Sequence, residues 1–312
     1  MDENLETASH HPVPPVGLSE GTPLTPDDWA KINLVNRPSP GSVSPLLRGL
    51  GMIERERLNR ILWAITGGLA VIAAVGGLGT PALYSRVVPP SVLPGALSQD
   101  LVTVAVGAAL VVLSATARAP RYRQQVLAFA LLAYLFYGYG VYSIEQVYNA
   151  LYLVYLAVFA LSFWALVLGV AGLRPDVLAG ARLPRWVRIA SFAGALLQPL
   201  VFYPMWIAAL LPLMAEHRQI QSYYSIYVLD LCFIMPAFLV LAILLLRGRG
   251  FGLVLTPAMF VFGGALMLSL ALGPVLAPDG GQHIDAGAVT LAALFFALGG
   301  LHLGFLRIRS GT

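Results

Sequence analysis

Apolar positions in this chain neither alternate with polar ones nor recur every third or fourth residue. They run on without interruption. After a polar opening segment, eight apolar stretches follow, near 62–84, 101–117, 125–142, 148–173, 189–214, 224–246, 251–277 and 284–306. Crossing the bilayer core as a helix takes about 17–25 residues, which each run supplies. Membrane barrels are built from short alternating segments, so continuous runs predict helices. In lipid, every backbone group must be satisfied within the segment itself, which helices achieve. The predicted fold is all-α: a polytopic transmembrane helix bundle of eight spans occupying 52–312.

The polar positions between the runs set the orientation. Arg55, Arg57 and Arg60 precede the first run; Arg118, Arg121 and Arg123 fill the second link; Arg174, Arg182, Arg185 and Arg188 fill the fourth. Arg247 and Arg249 fill the sixth, and Arg307 and Arg309 follow the last. With Arg48, Lys31 and Arg37, 17 of the 19 basic residues fall on one side, leaving Arg86 and Arg218 on the other. The positive-inside rule then predicts both termini in the cytoplasm and an inner (plasma) membrane location. Residues 1–51, with "HHPVPPVGLSEGTPLTPDD" and "NRPSPGSVSP", read as a disordered Pro/Ser-rich cytoplasmic tail. No apolar signal region is expected there, and Met52, just before "IERERLNR", offers an alternative start.

Composition sharpens the picture mainly by exclusion. Apolar residues make up 58% of the chain and charged residues 11%, far below the quarter that a water-soluble surface requires. The basic pI reflects arginines in short interhelical pieces, so nucleic acid is not an expected partner. Cys232 is the single cysteine, which rules out an intrachain disulfide or a CxxC redox or metal pair. His217 and His283, with Glu216, Asp279 and Asp285 nearby in sequence, match no metal-ligand spacing, and His302 reads as an interfacial or satisfied histidine rather than a ligand. No zincin helix, nucleophile elbow or phosphate-binding loop occurs, so no cofactor is expected and an enzyme is disfavoured.

Polar residues inside membrane spans are costly and therefore candidates for function. Asp230, in "YYSIYVLDLCFIMP", is the sharpest. Tyr223, Tyr227, Asp230 and Ile234 follow helical spacing, which puts them on one face and lets Tyr227 donate a hydrogen bond to Asp230. Gln99 and Asp100 are expected to open the second span. The stretch "YGYGVYSIEQVYNALYLVYL", 137–156, would turn between spans three and four, with Glu145 at its crest, Asn149 beside it, and Tyr139, Tyr142 and Tyr152 descending the two legs. Of the 13 tyrosines, 11 lie between Tyr134 and Tyr227. An interfacial aromatic belt would decorate all helices and both membrane surfaces, so this clustering points to an outward-facing polar and aromatic patch. Small faces in "GGLAVIAAVGGLG" and at Gly300 and Gly304 predict close helix packing. Pro199, Pro204, Pro236 and Pro257 predict kinks.

Three segments also resemble a family of uncharacterised bacterial polytopic integral membrane proteins. The resemblance spans 98–252. It rests on the Gln-Asp-Leu-Val motif from Gln99, the tyrosine-rich span leading to Tyr148–Asn149, and the Tyr-Val-x-Asp-Leu segment from Tyr227. That family has Tyr-Asn-Tyr where this chain has Tyr137-Gly138-Tyr139, which removes an amide. The resemblance implies a membrane bundle and no activity.

The expected function is an outward-facing binding site for a small molecule or cation, in a transporter or sensor. Its residues are Gln99, Asp100, Tyr139, Tyr142, Glu145, Asn149, Tyr152, Tyr227 and Asp230. A structural or assembly subunit of the bilayer is the alternative, followed by an enzyme of the outer leaflet using a carboxylate as base.

Overall fold

The structure, a computed structural model, describes residues 52–117, 121–220, 223–277 and 284–308, all within the contact unit Ser44–Gly311. The tail expected over 1–51 lies outside the described residues. Among them, eight helices are long and apolar enough to cross a membrane. They are α1 (Glu56–Gly79), α2 (Leu93–Thr116), α3 (Tyr122–Ile144), α4 (Tyr152–Ala171), α5 (Arg185–Ala215), α6 (Tyr224–Leu246), α7 (Gly250–Leu272) and α8 (Ala286–Phe305).

The eight predicted spans are present, and the differences lie at their ends. Hydropathy misses the polar first turns. Thus α1 begins within the Arg/Glu-rich segment at Glu56. More consequentially, α2 begins at Leu93 with Pro94 in its first turn, where a missing N–H costs nothing. Gln99 and Asp100 therefore do not open this helix; they lie two turns inside it, and Asp100 is buried. Helix α4 starts at Tyr152 rather than Tyr148, so Tyr148 and Asn149 belong to the preceding turn.

Contacts at the helix ends separate two poles. At one pole, Ile53 bridges Leu173, and the short strands β1 (Ala181–Arg182) and β2 (Arg307–Ile308) pair antiparallel. There, Arg60 donates to the carbonyls of Ser114 and Ala115 at 2.6 and 2.9 Å. A guanidinium suits the unpaired carbonyls of a helix C-terminus. The Tyr122 hydroxyl donates to the Leu306 carbonyl at 2.6 Å. This basic pole carries every described arginine except Arg86 and Arg218. At the opposite pole, Glu145 Oε1 accepts from the Ser225 N–H at 2.7 Å, so a carboxylate from the α3–α4 turn caps the N-terminus of α6. Asp285 caps α8 through the N–H groups of Gly287 and Ala288.

Helix α3 is the hub. All residues from Ala128 to Gly140 are buried. Helices α1 and α2 cross at a glycine pair: a Cβ on Gly67 would lie 2.7 Å from the Gly107 carbonyl, and one on Gly107 would lie 2.9 Å from the Gly67 carbonyl. This is the close approach that the small face of α1 predicts. Gly300 and Gly304 do not serve that purpose here: a Cβ on either would meet open space. Pro257 lies inside α7, and Pro199, Pro204 and Pro212 lie inside α5. Before Pro236 the chain forms a π-turn, Asp230–Ile234, in which the Met235 N–H bonds the Asp230 carbonyl five residues back. Proline at 236 has no N–H to continue the four-residue ladder, so the extra residue is accommodated there.

Candidate functional site

The predicted single patch resolves into two carboxylate clusters on opposite sides of α3. Tyr137 and Tyr139 differ by about 200° around a helix, so they face apart.

The first cluster centres on Asp100, 1% exposed, at the non-basic pole. Tyr84, on the α1–α2 connection and itself fully buried, donates its hydroxyl to Asp100 Oδ2 at 2.6 Å. The Tyr155 hydroxyl reaches Tyr84 at 3.4 Å, and Asn149 Nδ2 donates to Tyr155 at 3.0 Å. Asn149 Oδ1 accepts from the Leu151 N–H, which fixes the amide within its turn. On the other side, the Tyr142 hydroxyl lies 3.1 Å from Asp100 Oδ1 and 3.0 Å from the Ala96 carbonyl. Tyr139 packs edge-on against Tyr142 and beside Tyr155, with its hydroxyl donating to the Ala70 carbonyl at 2.9 Å. Gly77 makes the approach of α1 possible: a Cβ there would overlap Asp100 Oδ2 and lie 2.5 Å from the Tyr84 hydroxyl. No arginine or lysine touches the carboxyl among the described residues.

The second cluster centres on Asp230, at the first residue of the π-turn and 7% exposed. Trp206 Nε1, from α5, donates to Asp230 Oδ2 at 2.9 Å, and the Tyr137 hydroxyl faces the same carboxyl. Tyr227 does not bond Asp230, contrary to the spacing argument. It packs edge-on against the Trp206 ring at 5.1 Å. Tyr223 is a left-handed residue ahead of the helix, and the π-turn shifts the register after Leu229, so the four residues do not form one regular face.

The remaining predicted residues bridge or border these clusters. Gln99 Nε2 donates to the Gly138 carbonyl at 2.9 Å, and a Cβ on Gly138 would lie 3.2 Å from that same nitrogen. The glutamine amide thus fills the space left by the missing side chain at 138. Tyr152 donates to the Ser143 carbonyl at 3.0 Å and stacks edge-on with exposed Tyr148, while Glu145 acts as the α6 cap. Both stand at the rim.

Tyr84, Tyr137, Tyr155 and Trp206 were not among the predicted site residues, and Tyr84 and Trp206 lie outside the tyrosine-rich stretch altogether. Tyr84 sits in a proline-rich link outside the tyrosine cluster, and Trp206 lies in a helix whose hydropathic window is only 6% buried. The signal available for each was a hydrogen-bonding aromatic at the same membrane depth as a carboxylate.

Of the two readings of His302, interfacial or satisfied, the satisfied one describes it. His302 is fully buried; its Nε2 lies 2.8 Å from the Leu253 carbonyl and its Nδ1 lies 2.9 Å from the Ser191 hydroxyl. Because a carbonyl only accepts, Nε2 carries the proton and Nδ1 accepts from the serine. Among the described residues no group of three or more His, Cys, Asp or Glu could hold a metal ion. His283 and Asp279 lie outside the described residues.

No protein-family model, curated protein sequence or solved structure matches the chain.

Proposed function

We propose that the protein is a polytopic transporter or sensor of the bacterial plasma membrane, with the basic pole in the cytoplasm and both termini on that side. Asp100 is its binding residue for a proton or small cation. The distribution of arginines between the two poles supports the orientation. One hydrogen-bond count carries the assignment of the site. Tyr142 has a single hydroxyl hydrogen, yet two acceptors compete for it, Asp100 Oδ1 and the Ala96 carbonyl. A proton on Asp100 resolves the conflict: the carboxyl then donates to the Tyr142 oxygen, and Tyr142 donates to Ala96. A cation in place of that proton would find oxygen donors from the carboxylate, the tyrosine hydroxyls and a backbone carbonyl, a set suited to a hard ion. An ionised carboxylate without a positive partner is costly at this depth.

The site is closed rather than open to the outside. Tyr84 covers it from the α1–α2 connection, so entry requires that connection to move. Infrared spectroscopy of the protein in lipid tests the assignment. A protonated carboxyl band absent from Asp100→Asn, and lost on raising the pH or adding Na+, K+ or tetramethylammonium, supports it. A band unaffected by pH and by all three cations overturns it.

The tight mutual satisfaction of the cluster favours a second reading, a structural subunit whose polar groups lock four segments together. In that case Asp100→Asn lowers thermal stability and no cation changes the stability of either form.

A further inference from the structure

The sides of the bundle at the basic pole carry a feature unrelated to either carboxylate. A groove of ≈ 160 Å³ lies between α5 and the end of α6, lined by Arg185, Arg188, Ile189, Phe192, Leu245 and Leu246. Its two ends differ in chemistry. Arg185 and Arg188 lie one turn apart on α5, so their guanidinium groups can address one ligand from the same face. Neither guanidinium makes a hydrogen bond or ion pair with any described residue; the ion pairs among those residues are Arg174–Asp176 and Arg218–Glu216. Gly248 follows α6 in the left-handed conformation, with φ +63°, and a Cβ there would lie 2.9 Å from Arg188 Nη1. The bare turn therefore leaves Arg188 room against the end of α6. Beside the arginines the groove is apolar, with Ile189 and Leu246 exposed at 53% and 64% and Phe192 one turn further along α5. Trp186, exposed in the same first turn of α5 and edge-on to Phe305 of α8, suits the headgroup level of a bilayer.

We infer that this groove holds one anionic phospholipid, with its phosphate between Arg185 and Arg188 and an acyl chain along Ile189, Phe192 and Leu246. Two unpaired guanidinium groups match phosphate oxygens by charge and by bidentate geometry. The apolar trough below them is what a free phosphate would not need. Basic pockets between membrane helices at the positively charged face bind anionic headgroups on the same grounds.

Native mass spectrometry of delipidated full-length protein, incubated with phosphatidylglycerol or with phosphatidylcholine of identical chains, tests the inference. One phosphatidylglycerol should be retained about tenfold or more over phosphatidylcholine. Arg185→Gln/Arg188→Gln should abolish the preference, while Arg55→Gln/Arg57→Gln, at the same pole but away from the groove, should preserve it. Leu246→Trp leaves both arginines intact and fills the trough, so it should weaken retention of phosphatidylglycerol even if the double arginine variant fails to fold. Equal retention of the two lipids, or an equal loss in the Arg55/Arg57 variant, overturns the site. Displacement of the lipid by millimolar inorganic phosphate identifies a simple anion site and overturns the lipid assignment.

Discussion

Asp100 and Asp230 are both carboxylates buried in a membrane bundle, and they are held in different ways. Asp100 sits where α1, α2, α3 and α4 meet, with a hydroxyl at each of its oxygens and a glycine cleared to admit it. Asp230 sits at a register change in α6 and takes a hydrogen bond from an indole on α5, the helix least packed inside the bundle. The first carboxyl is enclosed by the core, and the second is pinned at a seam. Burial alone therefore does not define a site. What differs is the partners: Asp230 accepts from an indole N–H and faces the Tyr137 hydroxyl, whereas one of the two hydroxyls on Asp100, that of Tyr142, lies equally close to the Ala96 carbonyl.

The largest expected effect comes from forcing the core cluster apart. Gly77→Ala should destabilise the protein by about 3 kcal/mol, because the new methyl group overlaps a carboxyl oxygen and crowds the Tyr84 hydroxyl. Unfolding in mixed detergent micelles would measure it, and a loss under about 1 kcal/mol would mean the core is less rigid than the comparison requires. Asp100→Ala should follow at about 2–3 kcal/mol, since it strips a partner from two buried hydroxyls. Trp206→Phe should cost less, about 1 kcal/mol, removing one hydrogen bond at the seam while keeping the ring that packs on Tyr227. If Trp206→Phe proved as damaging as Asp100→Ala, the contrast between core and seam would fail.

The smallest effect lies outside the membrane spans. Arg174 holds the Asp176 carboxyl below the usual carboxylate range through a two-pronged hydrogen bond at 3.0 and 2.9 Å. A lowered folded-state value means the pair's contribution is present at neutral pH and disappears as the pH falls through that value. Because Asp176 is exposed, the contribution is small. The melting difference between wild type and Asp176→Asn should be slight at pH 7 and vanish in acid; a difference that grew in acid would contradict the sign.

Much of the fold was legible because lipid imposes a simple rule on sequence. Long apolar runs identified all eight helices, and the arginines between them identified the shared pole. A polar position inside one run singled out Asp230, while Asp100 was expected only at the opening of the second span. Their partners were legible only in part, for Tyr142 stood in the predicted set while Tyr84 and Trp206 did not. Tyr84 lies 16 residues before Asp100 in a link, and Tyr142 lies 42 residues after it. The start of α2 was misplaced, and with it the depth of Asp100, because the run was begun after the polar pair Gln99–Asp100, whereas the helix opens two turns earlier at Leu93 with Pro94 in its first turn. Helical spacing joined Tyr227 to Asp230, but that argument assumes 3.6 residues per turn, and the π-turn at Asp230 breaks the assumption.

By itself, then, the sequence determined the class of solvent, the number of spans, their common basic pole and one carboxylate, Asp230, that a membrane would not tolerate without partners. Each of these follows from the local cost of placing a residue in lipid. Only the tertiary structure decided that α3 divides the predicted patch in two, that Gln99 fills the gap at Gly138, and that Asp100 competes with a carbonyl for one hydrogen. Those facts depend on which helix faces lie together, and helix–helix contacts in lipid are selected by shape and hydrogen bonding rather than by apolarity.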